Sequence, residues 1–214
     1  MSSREISEYF DATESRDTRD DLKHGVELVE GPRIAIDCGC GAGSDIAFLR
    51  ANGFFVHAFD VELEAITRCG RRFSGDGNVR LSQDSFSSYD YPRASLIVAD
   101  ASLFFCPEDE FSDVWNKINE ALLPGGVFVG SFLGPEDTMA GTGFDREAFW
   151  PNVLVASEYK VKEWLKPFEV VSFIEHRRSG AAPGGSHHHW HIYSVVARKE
   201  FNNAIQATAS ASAD

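Results

Sequence analysis

Between residues 34 and 134, short apolar runs alternate with amphipathic ones, and this alternation constrains the fold more than any other feature. "IAID" (34–37), "FFVHAFD" (54–60), "NVRLSQD" (78–84), "ASLIVAD" (94–100) and "VFVGSFLG" (127–134) have the length and composition of strands. "SDIAFLRANG" and "ELEAITRCGRRF" (62–73) read as helices between them, the first with Ser44 near its start and Gly53 as its C-cap. "PEDEFSDVWNKINEALL" (107–123) is the clearest helix. It has Pro107 at its first position, an acidic first turn, and Phe111, Val114, Trp115, Ile118 and Leu122 on one face. Strands alternating with helices of this length predict a parallel sheet covered on both faces. Right-handed crossovers then bring the loops after the strands to one edge, where α/β proteins bind ligands.

The flanks differ in style. Residues 1–16 show no clean periodicity, and a helix is expected from Thr18, its N-cap candidate, with Leu22, Val26 and Val29 inward. "GPEDTMAGTGFDREAFWPN" is glycine-rich and irregular, as a lid or binding loop would be. "SEYKVKEWL" reads as a short helix capped by Ser157. "FEVVSFIEHRR" and "HHHWHIYSVVARK" read as an antiparallel strand pair. The expected fold is therefore α/β: a Rossmann-like, seven-stranded, mostly parallel sheet flanked by helices and ending in an antiparallel hairpin. One domain is expected over residues 1–200. Residues 1–30 would form a helical cap, 31–134 the core, and 135–200 the substrate side. The small polar tail 201–214 is expected to be disordered.

The chain has 214 residues and a formal net charge of -13. Such a charge is repelled by phosphate backbones and anionic lipid, so nucleic acid and membranes are disfavoured as partners. No stretch has the apolar length of a membrane span. The polar, acidic beginning is unlike a secretory or transit signal, so a cytoplasmic protein is expected, as monomer or homodimer. Its four cysteines, Cys38, Cys40, Cys69 and Cys106, form no paired zinc pattern and read as reduced, packed thiols. No metal is expected.

The loop "IDCGCGAGSD" (36–45) carries the first chemistry. A dinucleotide fingerprint started at Gly39 fails at Ser44, and one started at Gly41 fails at Ile46. Asp37 would also repel a pyrophosphate, whereas it would attract a cation. S-adenosylmethionine has no phosphate and carries an ammonium and a sulfonium. Asp37 can hold the ammonium, and Gly39, Gly41 and Gly43 let the backbone approach the methionine part. Asp60, ending the second strand, can accept both ribose hydroxyls, and Asp84 can accept from the adenine amino group. Val61 and Phe86 can flank the ring.

These segments resemble the motifs of class I S-adenosylmethionine-dependent methyltransferases. "IDCGCGAG" looks like the first motif, with Cys40 inside it. "VHAFDVELEAI" looks like the acidic second-strand motif. "SQDSF" is similar to the adenine-contacting segment and includes Ser85, while "ASLIVADASLFFCP" and "ALLPGGVFV" are similar to the fourth- and fifth-strand motifs. Five motifs in order cover roughly residues 20–135, and the likeness extends more loosely to 198. "SLFFCP", "SFLGPEDTMAG" and "HHHWHIYSVVARK" place the nearest likeness with small tellurite-resistance-type and thiopurine-type enzymes. The resemblance implies in-line methyl transfer to a small-molecule acceptor with S-adenosyl-L-methionine as cofactor. Cysteine at 38 and 40 departs from the usual aliphatic and small residues, at positions that mainly pack.

In that reading Ala99 and Asp100 lie beside the methyl group, and Phe104 and Phe105 wall the acceptor pocket. His187, His189 and His191 alternate along a strand, with His188 and Trp190 on its other face. His189 and His191, with Asp100, are the candidates for catalytic contact or base. Tyr9, Phe10 and Arg19 are candidates to close over the site, Arg19 as a cation for the methionine carboxylate. Trp150 is a further candidate for the substrate side, and Trp164 either lines that side or packs. Two other functions fit parts of the pattern: a protein that binds S-adenosylmethionine without catalysis, and a nicotinamide-dependent oxidoreductase. The latter needs the dinucleotide glycine that Ser44 replaces.

Overall fold

Strand β4 (Ala94–Ala99) is buried at every position, as a strand covered on both faces must be. It lies at the centre of one sheet. The other strands are β1 (Ile34–Cys38), β2 (Phe55–Asp60), β3 (Val79–Gln83), β5 (Leu122–Leu133), β6 (Phe168–Ala181) and β7 (His187–Lys199). Their order is β3-β2-β1-β4-β5-β7-β6. The first five pair in parallel, and β7 enters antiparallel between β5 and β6. The computed structural model describes residues 3–144, 153–182 and 186–201.

The helices are α1 (Ser3–Thr13), α2 (Asp20–Leu28), α3 (Ser44–Ala51), α4 (Leu63–Arg72), α5 (Glu108–Ala121) and α6 (Glu158–Trp164). One face of the sheet packs Leu22, Val26, Ile46, Leu49 and Cys69 of α2–α4 against Leu96, Val98, Val127 and Val129. The opposite face packs Phe111, Trp115 and Ile118 of α5 and Val161 of α6 against Ile97, Phe128 and Phe132. Trp164 belongs to that second layer. Its ring lies 4.3 Å from Phe111, and its carbonyl accepts from the Trp115 indole at 3.0 Å, so it packs rather than lining the substrate side.

Three local readings are corrected. Residues 3–13, which show no clean periodicity, form a helix, and of its described side chains only Phe10 is buried. The helix after it starts with Arg19 as N-cap and no capping side chain, not with Thr18. Pro107 is the N-cap of α5 rather than its first residue, and Leu122 already opens β5, so Pro124-Gly125-Gly126 lies within a strand whose register shifts against β4. The Ser157 cap is present, accepting from the Lys160 amide at 3.3 Å. Trp150, most of the latter half of the glycine-rich loop, and the tail from 202 lie outside the described residues.

Candidate active site

The strand order reverses between β1 and β4, and the functional candidates gather at the carboxyl ends of the strands there. The glycine loop is fixed to β2 by backbone bonds: the amides of Gly39 and Cys40 both donate to the Phe59 carbonyl, at 2.9 and 3.0 Å. Asp60 completes the frame. One of its carboxylate oxygens accepts from the Gly41 amide at 2.9 Å, the other from the Glu62 amide at 2.9 Å. Each oxygen keeps a second lone pair for a hydroxyl. Burial raises the Asp60 carboxyl above its ordinary range, and these amides pull it back.

Gly39 is required twice over. Its φ is +74°, and a Cβ there would lie 2.5 Å from that of Ser102. Ser102 itself donates to the Cys38 carbonyl at 2.7 Å, which ties the loop after β4 to the end of β1. Cys40 and Cys69 are buried, and the Cys69 thiol donates to the Gly41 carbonyl at 3.4 Å.

Asp37 is 3% exposed, and its Oδ2 has no hydrogen-bond partner. Burial and neighbouring Asp45 push its carboxyl well above the usual carboxylate range, while Arg19 acts in the opposite direction. Arg19 lies between three carboxylates: Asp21 at 3.2 Å, Asp45 at 3.2 Å and Asp100 at 2.8 Å. Burial opposes its charge, but Asp100, Asp45 and Asp21 outweigh burial and raise its pKa. Its Nη2 is buried and unpaired. So an orphan acceptor and an orphan donor sit within electrostatic reach of each other behind the glycine loop. Leaving such groups unmade is costly, roughly 1–3 kcal/mol each, unless a ligand completes them.

The remaining cofactor-side candidates fall along the same edge. Asp84 accepts hydroxyl bonds from Ser82 and from Ser88, the latter at 2.9 Å, with Ser85 beside it. Phe86 meets Phe59 edge-on at 5.5 Å, and Val61 is half exposed (51%), as is its neighbour Leu63. Two exposed aliphatic side chains next to a polar strand end are suited to a planar base; the sequence reading missed Leu63. From α1, Phe10 lies over Gly41 and packs with Ala42 and Ala65. Tyr9 interacts electrostatically with Arg16, Asp100 and Asp60, so it sits above the same cluster.

Toward β5 the edge changes character. Ala99 is fully buried, and Ala101 has a φ of +50° with its amide donating to Ser131 Oγ at 2.8 Å. Phe104 and Phe105 pair at 4.7 Å and cluster with Leu133, Met139, Phe144 and Ile192. His191 is 1% exposed; its Nδ1 accepts from the Glu136 amide at 3.1 Å and its Nε2 lies 2.8 Å from Glu175. His189 Nδ1 lies 2.8 Å from Ser179, and His188 Nε2 lies 3.0 Å from Asp137. The histidines of alternate positions thus engage different partners. Asp137 was not anticipated: it also accepts from the His191 and Met139 amides, capping the free edge of β7.

Residues 35–126 match the family described as a methyltransferase domain, and the chain has the class I, Rossmann-like methyltransferase fold. Among solved structures it is similar to TehB from Haemophilus influenzae, with a TM-score of 0.73 at 15% identity over 91% of this chain and 67% of that one. It is also similar to 1,6-didemethyltoxoflavin-N1-methyltransferase from Burkholderia thailandensis, solved with bound 1,6-didemethyltoxoflavin and S-adenosylhomocysteine (TM-score 0.58, 20% identity, 91% of this chain and 88% of that one). A third likeness is to the [4+2]-cyclase SpnF (TM-score 0.63, 15% identity, 92% of both chains). Identities this low carry the fold, and the last neighbour shows that the fold alone does not fix the reaction. No curated protein matches the sequence. Among the described residues no helix is long and apolar enough to cross a membrane.

Proposed function

We propose that this protein is an S-adenosylmethionine-dependent methyltransferase acting on a small-molecule acceptor. The observation that carries the reading is the pair of orphan atoms, Asp37 Oδ2 and Arg19 Nη2. An amino-acid zwitterion completes both at once, its ammonium on Asp37 and its carboxylate on Arg19. A pyrophosphate would complete only the arginine and would face Asp37, which disfavours a nicotinamide cofactor. Asp60 presents its free lone pairs to the ribose, and Asp84 and Ser85, flanked by Val61 and Phe86, are placed for the adenine.

S-adenosylmethionine supplies a methyl group on a good leaving group, so the protein needs chiefly to align and to exclude water. Gly39 and Gly41 allow backbone contact at the methionine end. Arg19 and Asp100 close the edge between α2 and β4, and Tyr9 and Phe10 cover it from above. The Ala99–Ala101 turn, fixed by Ser131, sets the floor on which an acceptor atom approaches. Phe104 and Phe105 form the apolar wall. His191 acts here as a positioning residue, because both ring nitrogens are already engaged; His189, with its Nδ1 held at Ser179, shares the His191 face of β7 and lies opposite Ile192, so it does not contact the acceptor.

The test is calorimetric titration with S-adenosylmethionine and with NADH, repeated on Asp37→Ala, followed by detection of S-adenosylhomocysteine in the presence of a panel of thiol, amine and hydroxyl acceptors. Binding of the first ligand, lost in the variant, together with acceptor-dependent turnover is the expected result. Binding without turnover for any acceptor would make the protein a sensor. NADH binding alone would overturn the reading.

A further inference from the structure

β6 and β7 run on past the end of β5. The last β5–β7 pair is Leu133 with Ile192, yet β6 and β7 continue from Arg177–His191 to Ala181–His187. At about 3.4 Å per residue, the arm projects roughly 17 Å beyond the carboxyl edge. In a chain of net charge -13, residues 176–191 hold two arginines, five histidines and no carboxylate. This arm stands on the acceptor side of the site.

Its two faces differ. Arg177 is held by Glu136 at 2.5 Å and by Glu175 at 2.8 Å. Arg178, on the opposite face, makes no ion pair among the described residues. Its guanidinium instead lies 5.1 Å from the centre of the Trp190 ring, its cross-strand partner. A stacked guanidinium uses its flat face and leaves its in-plane N–H fork free for a carboxylate. His188, on the same face, lies 4.8 Å from Trp190 and is tethered to Asp137. Two residues along β7, Ile192 joins Phe104 and Leu133 in the acceptor-side cluster. Alternation puts Ile192, Trp190 and His188 on one face, so an apolar wall runs directly into a pre-oriented arginine that has no ion pair among the described residues.

We infer that the acceptor is an amphiphilic organic acid, with a planar or apolar body against Phe104, Phe105 and Ile192 and a carboxylate on Arg178. The carboxylate sits about 7 Å beyond Ile192, the length of two strand residues. Trp190 holds the guanidinium in place, which lowers the ordering cost of binding. This inference rests on the methyl-transfer reading and adds the substrate class to it. It also accounts for how an acidic protein admits an anion: Arg178 is a cation with no carboxylate on it among the described residues.

The experiment uses the full chain saturated with S-adenosylhomocysteine. Its probes are 4-phenylbutyrate, methyl 4-phenylbutyrate and 4-phenylbutylamine, titrated by NMR. The carboxylate is expected to bind about tenfold or more tightly than the ester or amine, the scale of one charge-assisted hydrogen bond. Arg178→Gln should erase that preference without changing affinity for S-adenosylhomocysteine. Trp190→Leu should reduce it, and added salt should weaken it. Equal binding of the three probes, no binding of any, or a preference that survives Arg178→Gln overturns the inference while leaving the methyl-transfer reading intact. Failure of S-adenosylhomocysteine itself to bind overturns both.

Discussion

At the ends of β1 and β2, the turn proposed to face the cofactor is held by a carboxylate nineteen residues away: Gly41 donates to Asp60. At the ends of β5 and β7, the corresponding turn is held by an imidazole fifty-five residues away: Glu136 donates to His191. The first half closes as soon as β1, α3 and β2 have assembled. The second requires the last strand of the chain to insert between β5 and β6. A short-range frame suits a ligand common to many proteins of this fold, and a long-range one allows the acceptor side to vary without disturbing it.

The sharpest way to break this contrast is to remove Asp60. Asp60→Ala strands the Gly41 and Glu62 amides in a buried setting, and each bond to a charged acceptor is worth about 1.5–3 kcal/mol. We expect a loss of about 3 kcal/mol in urea unfolding and no measurable binding of S-adenosylmethionine. Retained binding with lowered stability would show that Asp60 serves only the loop.

On the other half, Gly134→Ala is the matching lesion. A Cβ at Gly134 would lie 2.5 Å from the His191 ring, while the Gly134 amide donates to the His191 carbonyl at 2.6 Å. Overpacking of this kind costs about 1–3 kcal/mol. Calorimetry should find the affinity for S-adenosylhomocysteine unchanged and acceptor turnover reduced. A change in cofactor affinity as large as the change in turnover would show that the two halves are one cooperative unit.

The same contrast explains what could be read in advance. Asp37, Gly39 and Asp60 sit where a local pattern puts them: each ends a short apolar run or follows one, and the spacing fixes the turn. The seven strands and five of the six helices are legible for the same reason. α1 was legible only as part of an unbounded helical cap, because among its described side chains only Phe10 is buried, and it docks on the glycine loop rather than on the sheet. Asp137 was also missed. Its partners, His188 and the His191 amide, are more than fifty residues distant, and no local pattern announces them. The histidine run suggested chemistry by composition alone; its actual arrangement follows from pairing with β6 and with the 134–140 turn, which only the tertiary structure sets.

The smallest expected effect concerns Asp37, and it has the opposite sign for stability and for binding. Folding buries this carboxyl beside Asp45 and raises its pKa above the ordinary value of 3.8. The folded protein therefore holds the proton more tightly than the unfolded chain. That contribution to stability is complete at pH below the ordinary value and is lost as pH rises toward the folded one. At neutral pH the ligand-free protein bears the cost of burying this carboxyl, whether as a poorly compensated charge or as a proton bound above the ordinary pKa. Asp37→Asn removes the charge while keeping the shape, so the variant should melt a few degrees higher than the parent at pH 7 and show no such advantage at pH 3. Its binding of S-adenosylmethionine should fall, since the ammonium loses its counter-charge. A variant that melts lower than the parent at pH 7 would mean that Arg19 already neutralises Asp37 in the absence of ligand. The orphan pair would then be a closed ion pair in solution, and the cofactor half would be prebuilt even more completely than its short-range bonds imply.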